Sequence, residues 1–440
     1  MICVLDAARV DHFGAYGYPR PTTPNFDRLA KESILFDQHF TQAPQTQPST
    51  TSLFTSQYPD THGLLENSPG ETGVWGMDPS AFTLEKALQK AGFHTSLYSS
   101  NPLASPAMGI GSDFMHTEYR DRGSFKEPWD PVVFLARDLA RQAAPSPKGP
   151  GRSFCYLHVL PPHMPYQAPK AIADLFAGTR PPTYWQAEFE FPDIVAQRTH
   201  MKEPDSWVSW GNVYDANLRW ADASLGALVE TLRRWGLLEK TLLIVTADHG
   251  EAMREHGYGY HGGVPYDEAL HIPLLIRFPG AHRPVGRVMA LTQTIDLMPT
   301  LLDLYNLPAS GQVQGRSLVP LLTGEVSKAH DYVFSRTSVR ETSCYVIRDA
   351  HFALLLYRGG QPRALYDMDR DPWQTRNVIH EQPARADALA RVFELFAKAQ
   401  RYRPLDFLDP MYRPPRAADL PRVKLSEETQ RQLRSLGYVK

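Results

Sequence analysis

Short apolar runs alternate with segments of helical periodicity through the first three quarters of this chain. An apolar run without polar alternation predicts a strand buried on both faces, whereas apolar residues spaced three and four apart predict a helix. Gly92 and Gly236 stand where two of these helices should end. The alternation predicts an α/β domain with a large, mostly parallel sheet flanked by helices. The predicted strands are Ile2–Asp6, Ile34–Phe40, His94–Ser99, Ser153–Leu160, Thr241–Ala247 and Ile272–Phe278, and the predicted helices are Asn25–Ser33, Thr83–Ala91, Val213–Trp235 and Ile295–Tyr305.

The pattern changes after about residue 324. Short strands joined by Gly, Asp and Pro turns predict a small antiparallel sheet, and a helix over Pro383–Gln400 follows. We therefore divide the chain into a large domain, 1–324, a small sheet-and-helix subdomain, 325–400, and a Pro- and Arg-rich tail, 401–440. In the tail, Ser426 should cap a last helix, Glu427–Leu436. The short strands are Tyr332–Ser338, Ser343–Arg348, Phe352–Tyr357 and Ala364–Tyr366.

The composition narrows the class of protein. With 440 residues, 42% of them hydrophobic, the chain can bury a large core and a smaller one. A net charge of -2 gives no reason to expect binding to a nucleic-acid polymer or a membrane surface. No apolar run reaches the ~18 residues of a membrane span. The three cysteines, Cys3, Cys155 and Cys344, are widely spaced and odd in number, so we predict buried free thiols.

Three polar segments follow predicted strands and could meet. Asp6 ends the first strand, and Asp248 and His249 end another; Thr46 begins a run that is typical of a first helical turn. In such sheets ligands bind beyond the carboxyl ends of the strands, where His163 should also lie. A hydroxyl at a helix start, with carboxylates and an imidazole, indicates a metal-activated nucleophile that attacks an anionic ester. The alternative for Thr46 is a helix N-cap.

The order of further motifs gives this chain a family resemblance. It resembles the sulfatase branch of the alkaline phosphatase superfamily, from the first strand to the last residues. The resemblance implies an alkaline phosphatase-like sandwich, with a small antiparallel sheet after the large domain. The matching segments are Val4-Leu5-Asp6, Tyr16–Asn25, Tyr58-Pro59, His62-Gly63, Pro162–Tyr166, His261-Gly262-Gly263, Asp296–Thr300, Leu365–Asp367 and Leu436–Tyr438.

Departures from the family pattern bear on the reaction. Sulfatases carry Cys or Ser at the position of Thr46 and oxidise it to formylglycine, an aldehyde that threonine cannot form because of its Cβ methyl group. Thr50 stands where the family has an arginine. Ala7 replaces a second aspartate, and His249 replaces an asparagine. What remains is similar to phosphodiesterases and phosphonate hydrolases with a threonine nucleophile, and to phosphoethanolamine transferases.

The resemblance implies a metal site made of Asp6, Thr46, Asp248 and His249. This mixed oxygen and nitrogen set suits Zn²⁺ or Mn²⁺ better than Ca²⁺, which prefers six to eight oxygens. By the same resemblance, the metal lowers the pKa of the Thr46 hydroxyl, and a phosphorylated threonine forms and is then cleaved by water. We expect at least one divalent metal and no formylglycine.

The resemblance also implies residues that contact the substrate. His163 and His261 should bind the phosphoryl oxygens or protonate the leaving group. The weaker candidates for substrate binding are His158, Arg9 and Asn101. For Arg9, the alternative is a structural ion pair with Asp11.

Two further features have a structural interpretation beside a functional one. Asp215 and Asp222 lie seven apart on one face of the long predicted helix, and we expect a solvated face with salt bridges. Aromatic side chains in the regions 102–131 and 168–210 either form an apolar wall for a bulky leaving group or pack these loops onto the body. They are Phe114, Tyr119, Trp129, Tyr184, Trp185, Phe189, Phe191, Trp207 and Trp210.

The sequence therefore predicts a soluble, metal-dependent hydrolase of small or lipid-like phosphate esters, with diesters or phosphonate monoesters preferred. The alternatives are a sulfatase that works without formylglycine, a transferase of phosphoryl groups to an alcohol, and a non-catalytic binding protein. Because a removable signal peptide would take Asp6 with it, we expect a cytoplasmic protein; the alternative is a trimmed precursor. The oligomeric state stays open.

Overall fold

Two sheets of very different size organise the computed structural model, which describes residues 1–67, 74–119, 130–142, 151–177, 210–257, 259–337, 344–357, 361–399, 422–423 and 426–435. The strands are β1 (Ile2–Leu5), β2 (Ile34–Phe40), β3 (Val74–Trp75), β4 (His94–Ser99), β5 (His116–Tyr119), β6 (Ser153–Val159), β7 (Leu243–Ala247), β8 (Ala252–Met253), β9 (Gly259–Tyr260), β10 (Leu274–Arg277), β11 (Gly286–Gln293), β12 (Val333–Thr337), β13 (Cys344–Arg348), β14 (Phe352–Tyr357), β15 (Gln361–Asp367) and β16 (Arg422–Val423). The α-helices are α1 (Pro24–Ala30), α2 (Thr46–Thr55), α3 (Pro59–His62), α4 (Leu84–Lys90), α5 (Asp130–Gln142), α6 (Lys170–Ala173), α7 (Trp210–Arg234), α8 (Asp267–Leu270), α9 (Leu297–Leu304), α10 (Val319–Leu322), α11 (Pro383–Ala399) and α12 (Glu427–Ser435).

The large sheet has eight strands in the order β11-β2-β10-β7-β1-β6-β4-β5. Strand β1 lies between β7 and β6 and is parallel to both. Its side chains alternate between two apolar cores: Cys3 and Leu5 face the core that contains α1 and α7, and Ile2 and Val4 face the core that contains α2 and α9. Burial on both faces explains the unbroken apolar runs, and the predicted parallel sheet with flanking helices is confirmed. Strand β10 is the exception, because it runs antiparallel to both of its neighbours.

The small sheet is an antiparallel meander, β12-β13-β14-β15, as predicted. Helix α11 packs on it through Leu389 and Phe393, which share a core with Leu354 and Leu365 of the sheet. The sheet therefore has its own apolar core, which extends to Tyr58 and Ile295 of the large domain.

Several predicted boundaries are confirmed by backbone geometry. Gly92 and Gly236 follow helices α4 and α7 and have φ values of +85° and +66°, which only glycine adopts readily. The Ser426 hydroxyl accepts a hydrogen bond from the Thr429 amide at 3.1 Å, as expected of an N-cap. The elements β5, β11 and α5 were not predicted. Most of the predicted tail, and the strand end at Ser343, lie outside the described residues.

The expectation of a solvated face at Asp215 and Asp222 is wrong, because both carboxylates are fully buried. Asp215 accepts hydrogen bonds from Tyr18 at 2.8 Å and Arg20 at 2.5 Å, and lies 2.6 Å from His12 Nδ1. Asp222 accepts the backbone amides of Asn25 and Phe26, at 3.0 and 2.8 Å. These aspartates therefore fix the segment around α1 to the long helix. Seven-residue spacing placed them on one face, but that face points inward.

The remaining structural predictions have mixed outcomes. All three cysteines are buried and free, as predicted. Phe114 and Trp210 are buried in the two cores, and Trp210 Nε1 donates to the Tyr166 hydroxyl at 2.7 Å, which supports the packing role. Tyr119 is half-buried at the edge strand β5. Among the described helices, none has the length and apolar content that a membrane crossing requires. Outside the described residues lie Trp129, Tyr184, Trp185, Phe189, Phe191 and Trp207.

Candidate active site

Two carboxylates lie side by side at the carboxyl edge of the large sheet. Asp6 follows β1 and Asp248 follows β7, and the last residues of these strands, Leu5 and Ala247, are paired in register. The amides of Ala7 and His249 both donate to Asp248 Oδ1, at 3.1 and 2.9 Å. These bonds leave Asp248 Oδ2 on the side of Asp6, so the parallel pairing of two central strands creates the carboxylate pair.

Thr46 is the first residue of α2 and its side chain is fully buried beside this pair. The N-cap position belongs to Gln45, so the capping alternative for Thr46 is not what the structure shows. Instead, Thr46 Oγ1 lies 3.2 Å from His249 Nε2 and accepts from Asn101 Nδ2 at 3.4 Å. The helix start thus places a hydroxyl against an imidazole nitrogen.

Asn101 and His158 hold Asp6 in place. Asn101 Nδ2 donates to Asp6 Oδ2 at 2.5 Å, while Asn101 Oδ1 accepts the Leu103 amide at 2.8 Å. His158 Nε2 lies 3.0 Å from the same Asp6 Oδ2, and His158 Nδ1 lies 2.9 Å from the Tyr156 hydroxyl. Burial lowers the pKa of His158, but the hydrogen bond and charge of Asp6 outweigh burial and raise that pKa. Both residues therefore contact a predicted metal ligand.

Three imidazoles cluster above the carboxylates. The His249 ring centroid lies 4.4 Å from that of His261, and the His163 centroid lies 4.9 Å from His261 and 6.4 Å from His249. His163 is anchored by its backbone amide, which donates to the Asp6 carbonyl at 3.1 Å. Burial lowers the pKa of His163, and burial together with His249 lowers that of His261 further. The structure therefore brings together the predicted catalytic histidines and Thr46.

The two carboxylates have unequal proton affinities. Burial raises the pKa of Asp6, but the charges of His163, His158 and His249 outweigh burial and hold this pKa below its usual range. Burial and the charge of Asp6 raise the pKa of Asp248. Asp6 and Asp248 are buried with ligand atoms within 4.8 Å of each other, so they carry excess negative charge that a cation would balance.

Unpartnered atoms test whether the predicted residues fit a metal. Among the described residues, Asp6 Oδ1 and Asp248 Oδ2 are buried without a hydrogen-bond donor. His249 Nε2 lies 3.7 Å from the first, 3.4 Å from the second and 3.2 Å from Thr46 Oγ1. A tetrahedral metal with bonds of about 2.1 Å sets its ligand atoms about 3.4 Å apart. The distances from His249 Nε2 to the other three atoms are close to this spacing, as a zinc-type site with His249 as one ligand would require.

A second histidine also approaches the carboxylates. Asp6, His158 and Asp248 each offer a ligand atom within 4.8 Å of the others. His158 Nε2, however, lies 3.0 Å from Asp6 Oδ2 and only 3.9 Å from Asp248 Oδ2. His158 thus makes its nearest contact with the Asp6 oxygen that Asn101 also bonds, which suits a residue that orients a ligand. His249 contacts the two oxygens that lack partners, so we favour it as the nitrogen ligand.

Arg9 makes the ion pair that was its alternative assignment. Its guanidinium lies 3.0 Å from Asp11 Oδ2 and 2.5 Å from Glu255 Oε1, and Nη1 donates to the Glu251 carbonyl at 2.9 Å. Arg9 also lines a cavity of about 560 Å³ between the large domain and the small sheet. Arg9 thus reaches the cluster of histidines through Glu251, whose side chain contacts His261.

Glu251 is the residue of this site that the sequence analysis missed. Its side chain is fully buried, and Oε1 lies 3.0 Å from His261 Nδ1. Burial raises the pKa of Glu251 to about 7. The available signal was its position, three residues after Asp248 at the end of a buried strand, where a carboxylate has little access to water.

Comparison with known proteins identifies the family of this chain. A family model described as Sulfatase matches residues 1–307, and a model described as N-sulphoglucosamine sulphohydrolase, C-terminal, matches residues 254–400. The fold and the family match define a hydrolase of ester bonds in the alkaline phosphatase superfamily. Within that superfamily, the chain belongs to the sulfatase family. Members of this family depend on a metal, in keeping with the Asp and His side chains gathered here.

The similar proteins include both sulfatases and a phosphonate hydrolase. Arylsulfatase K of Gallus gallus is 32% identical, over 84% of this chain and 76% of that protein. An arylsulfatase of Clostridium perfringens is 22% identical, over 91% and 95% respectively. The crystal structure of the phosphonate monoester hydrolase of Agrobacterium radiobacter superposes with a TM-score of 0.72 and 22% identity, covering 91% of this chain and 95% of that one. The structural likeness establishes the fold.

Proposed function

We propose that this sulfatase-family hydrolase acts on phosphorus esters, with phosphodiesters or phosphonate monoesters preferred, and that Thr46 is its nucleophile. The observation that carries the proposal is the position of Thr46 Oγ1, fully buried and 3.2 Å from His249 Nε2. Threonine cannot become formylglycine, the group on which the sulfatase reaction of this family depends. A hydroxyl held at a helix start can attack a tetrahedral phosphorus centre directly.

The hydrogen bonds of His249 support its role beside the nucleophile. Its Nδ1 lies 2.8 Å from the Gly250 carbonyl, which can only accept, so Nδ1 carries the proton. Nε2 is then the nitrogen that faces Thr46 Oγ1 and the two unpartnered carboxylate oxygens. The same carbonyl fixes the orientation of the ring.

Asp6, Asp248, His249 and Thr46 would hold Zn²⁺ or Mn²⁺. Such a metal lowers the pKa of a hydroxyl bound to it and neutralises negative charge on the substrate. Asn101 and His158 keep Asp6 oriented, so we place them as residues that support the ligands. His163 and His261 lie beside His249, with ring centroids 6.4 and 4.4 Å from its ring, where they would contact the phosphoryl oxygens and the leaving group.

Sulfate-ester hydrolysis is the second candidate, because curated relatives of this chain carry the name arylsulfatase. Both kinds of substrate are tetrahedral anions. Against sulfate stand two residues of α2: Thr46, which cannot supply the aldehyde, and Thr50, which puts a neutral side chain where the family has an arginine. Phosphoryl transfer to an alcohol would use the same residues with another acceptor.

Relative rates on matched aryl esters test the proposal. The purified protein is assayed with a phosphate monoester, a phosphodiester, a phosphonate monoester and a sulfate, with Zn²⁺ or Mn²⁺ added. We expect a phosphorus ester to lead by at least ~10²-fold, a difference of about 3 kcal/mol in barrier. A leading sulfate would overturn the assignment. Product release without an added alcohol separates hydrolysis from transfer.

Thr46→Ala tests the nucleophile. We expect a loss of at least ~10³-fold in kcat and no phosphorylated peptide containing residue 46 after rapid quenching. Thr51→Ala is the matched control, because Thr51 is equally buried on the same helix. Thr46→Ser should keep a large part of the activity, since the hydroxyl remains. Near wild-type activity in Thr46→Ala would refute the role of Thr46.

A further inference from the structure

The cavity of about 560 Å³ that Arg9 lines is separate from the candidate active site. Its walls come from the large domain, through residues near β1, β2 and α8, and from the small sheet, through β13 and the segment that follows β15. Among the described residues, neither the proposed metal ligands nor His163 and His261 line it. A cavity of this volume between two structural units is typical of sites for small organic molecules.

Two buried side chains of the cavity wall carry nitrogen atoms that lack an acceptor among the described residues. Arg348 and Gln374 line the cavity and are only 6% and 1% exposed. Arg348 Nη1 donates to both carboxylate oxygens of Asp267, at 2.5 and 2.6 Å, whereas no described residue accepts from its Nε. Gln374 Oε1 accepts the Asp267 amide at 2.8 Å, and Gln374 Nε2 has no acceptor in the described part of the chain. Both donors are therefore held beside Asp267.

These donors favour a ligand that carries a carboxylate. A buried N–H group without an acceptor costs about 1–3 kcal/mol, which a ligand oxygen would recover. The Nε edge of a guanidinium presents two parallel N–H groups that match the two oxygens of a carboxylate. In Arg348 the bonds to Asp267 use Nη1, so the Nε edge remains for a ligand. The Phe40 ring, 4.5 Å from the guanidinium carbon, packs against the group and helps to fix its plane.

The charge of the cavity wall disfavours a simple anion. Its described residues include six carboxylates and three guanidinium groups, so the carboxylates outnumber the cations even with His256 and His271 protonated. Glu268, next to Asp267, contacts His256 Nδ1 through Oε1 at 2.8 Å, and no described residue donates to its Oε2. An ammonium group on the ligand would offset the charge of its carboxylate and of this wall. The carboxylates are Asp11, Asp37, Glu255, Asp267, Glu268 and Asp369, and the guanidinium groups are those of Arg9, Arg287 and Arg348.

We propose that this cavity is a binding site for a small zwitterion, an amino carboxylic acid. The carboxylate of the ligand binds the Nε edge of Arg348 and the Nε2 group of Gln374. The ammonium group of the ligand binds Glu268, beside the other carboxylates of the wall. The ligand thus contacts both the large domain and the small sheet, and its binding stabilises their packing.

The cavity is connected to the active site through the short helix α8. The carbonyls of Glu268 and Ala269, which belong to α8, accept the amides of Glu251 and Gly250 at 3.0 and 2.9 Å. These amides directly follow His249 in the chain. A ligand that binds Glu268 therefore stabilises the helix that holds the segment after His249.

Isothermal titration calorimetry of the full chain with a panel of amino acids tests the site. The panel contains the common α-amino acids and a series from glycine to 6-aminohexanoate, which varies the distance between the two charges. We expect at least one to bind with a Kd below about 1 mM. Its deaminated and decarboxylated analogues should bind at least ~10-fold more weakly, because each lacks one of the two charges. No binding across the panel, or equal binding of either analogue, would overturn the proposal.

Two variants locate the binding. Gln374→Glu keeps the acceptor for the Asp267 amide but replaces the Nε2 donor with an oxygen, and Arg348→Lys keeps the charge beside Asp267 but removes the Nε edge. Each should weaken the best ligand by at least ~10-fold. Gln314→Glu is the matched control and should leave the affinity unchanged, because Gln314 Oε1 also accepts a backbone amide, that of Tyr58 at 2.8 Å, outside the cavity. Unchanged affinity in either cavity variant that thermal unfolding shows to be folded would place the ligand elsewhere and contradict the proposed site.

Discussion

The protein buries carboxylates in two contrasting ways. At the edge of the large sheet, Asp6 and Asp248 each keep one oxygen without a donor among the described residues. Between α3 and the small sheet, Asp60 has both oxygens bonded: Oδ1 accepts from Arg336, and Oδ2 accepts from the Tyr345 hydroxyl at 2.5 Å. We call this second group, Asp60, Arg336 and Tyr345, the clamp.

The contrast distinguishes a structural use of buried charge from a functional one. In the clamp, the protein supplies the opposite charge, and burial raises the pKa of Asp60 while Arg336 opposes that rise. In the candidate active site, two carboxylates lie at the same edge of the large sheet and the nearby groups are imidazoles. A bound cation would therefore balance their negative charge. A carboxylate of the clamp should therefore matter for stability, and one of the site for ligand binding and catalysis.

Asp248→Asn should have the largest effect. Loss of one charge from the pair should lower kcat/KM by at least ~10³-fold, because metal catalysis contributes several kcal/mol. In the wild-type protein, a chelator should lower the midpoint of thermal unfolding, since the metal-free pair repels itself. Asp248→Asn should largely lose this sensitivity. Activity assays and thermal unfolding with and without the chelator measure both effects.

The control for that experiment is a substitution in the clamp. Asp60→Asn should leave the chelator-induced shift of the midpoint unchanged, because Asp60 lies outside the site. A chelator shift of equal size in wild type and Asp248→Asn would contradict a metal held by the carboxylate pair.

Asp60→Ala should have the next largest effect, on stability. It leaves the Arg336 guanidinium buried without its carboxylate, which should cost about 3–5 kcal/mol in free energy of unfolding. Urea unfolding followed by tryptophan fluorescence measures the loss. At a temperature where the variant stays folded, kcat should remain near the wild-type value. Unchanged stability would show that the clamp contributes little to attaching the small sheet.

Asp222→Ala should have the smallest effect of the three. It removes the acceptor of two amides at the start of α1, and capping losses of this kind cost about 1–2 kcal/mol. The free energy of unfolding in urea should fall by that amount, with Asp222→Asn in between because it keeps one acceptor oxygen. No change in either variant would show that these hydrogen bonds contribute little to attaching α1 to the long helix.

The sequence predicted the fold best where burial alone decides the pattern. The apolar runs of β1, β6 and β7 identified the central strands, and their shared edge located Asp6 and Asp248. The direction of β10 could not be predicted, because a strand buried on both faces has the same apolar run whether it is parallel or antiparallel. Strand β11 was missed because its first half is largely exposed and carries no clear alternation.

The residues that we propose as ligands were identifiable from the sequence, whereas the residues that contact them were less so. Asp248 and His249 directly follow an apolar strand, which marks them. The contact of Glu251 with His261, ten residues away across a turn, is not encoded by any local pattern. Similarly, Asp215 and Asp222 were assigned to solvent because helical spacing shows which residues share a face and not what covers that face.

The pairing of β1 with β7 also has a kinetic consequence. The Ala7 amide and the Asp248 carboxylate that it bonds are 241 positions apart, so forming the carboxylate pair requires the closure of a very long loop, and we expect the pair to form late in folding. Contacts of such long range form late in folding. A metal held there would stabilise the native state more than the transition state, and would thus slow unfolding while leaving the rate of folding almost unchanged.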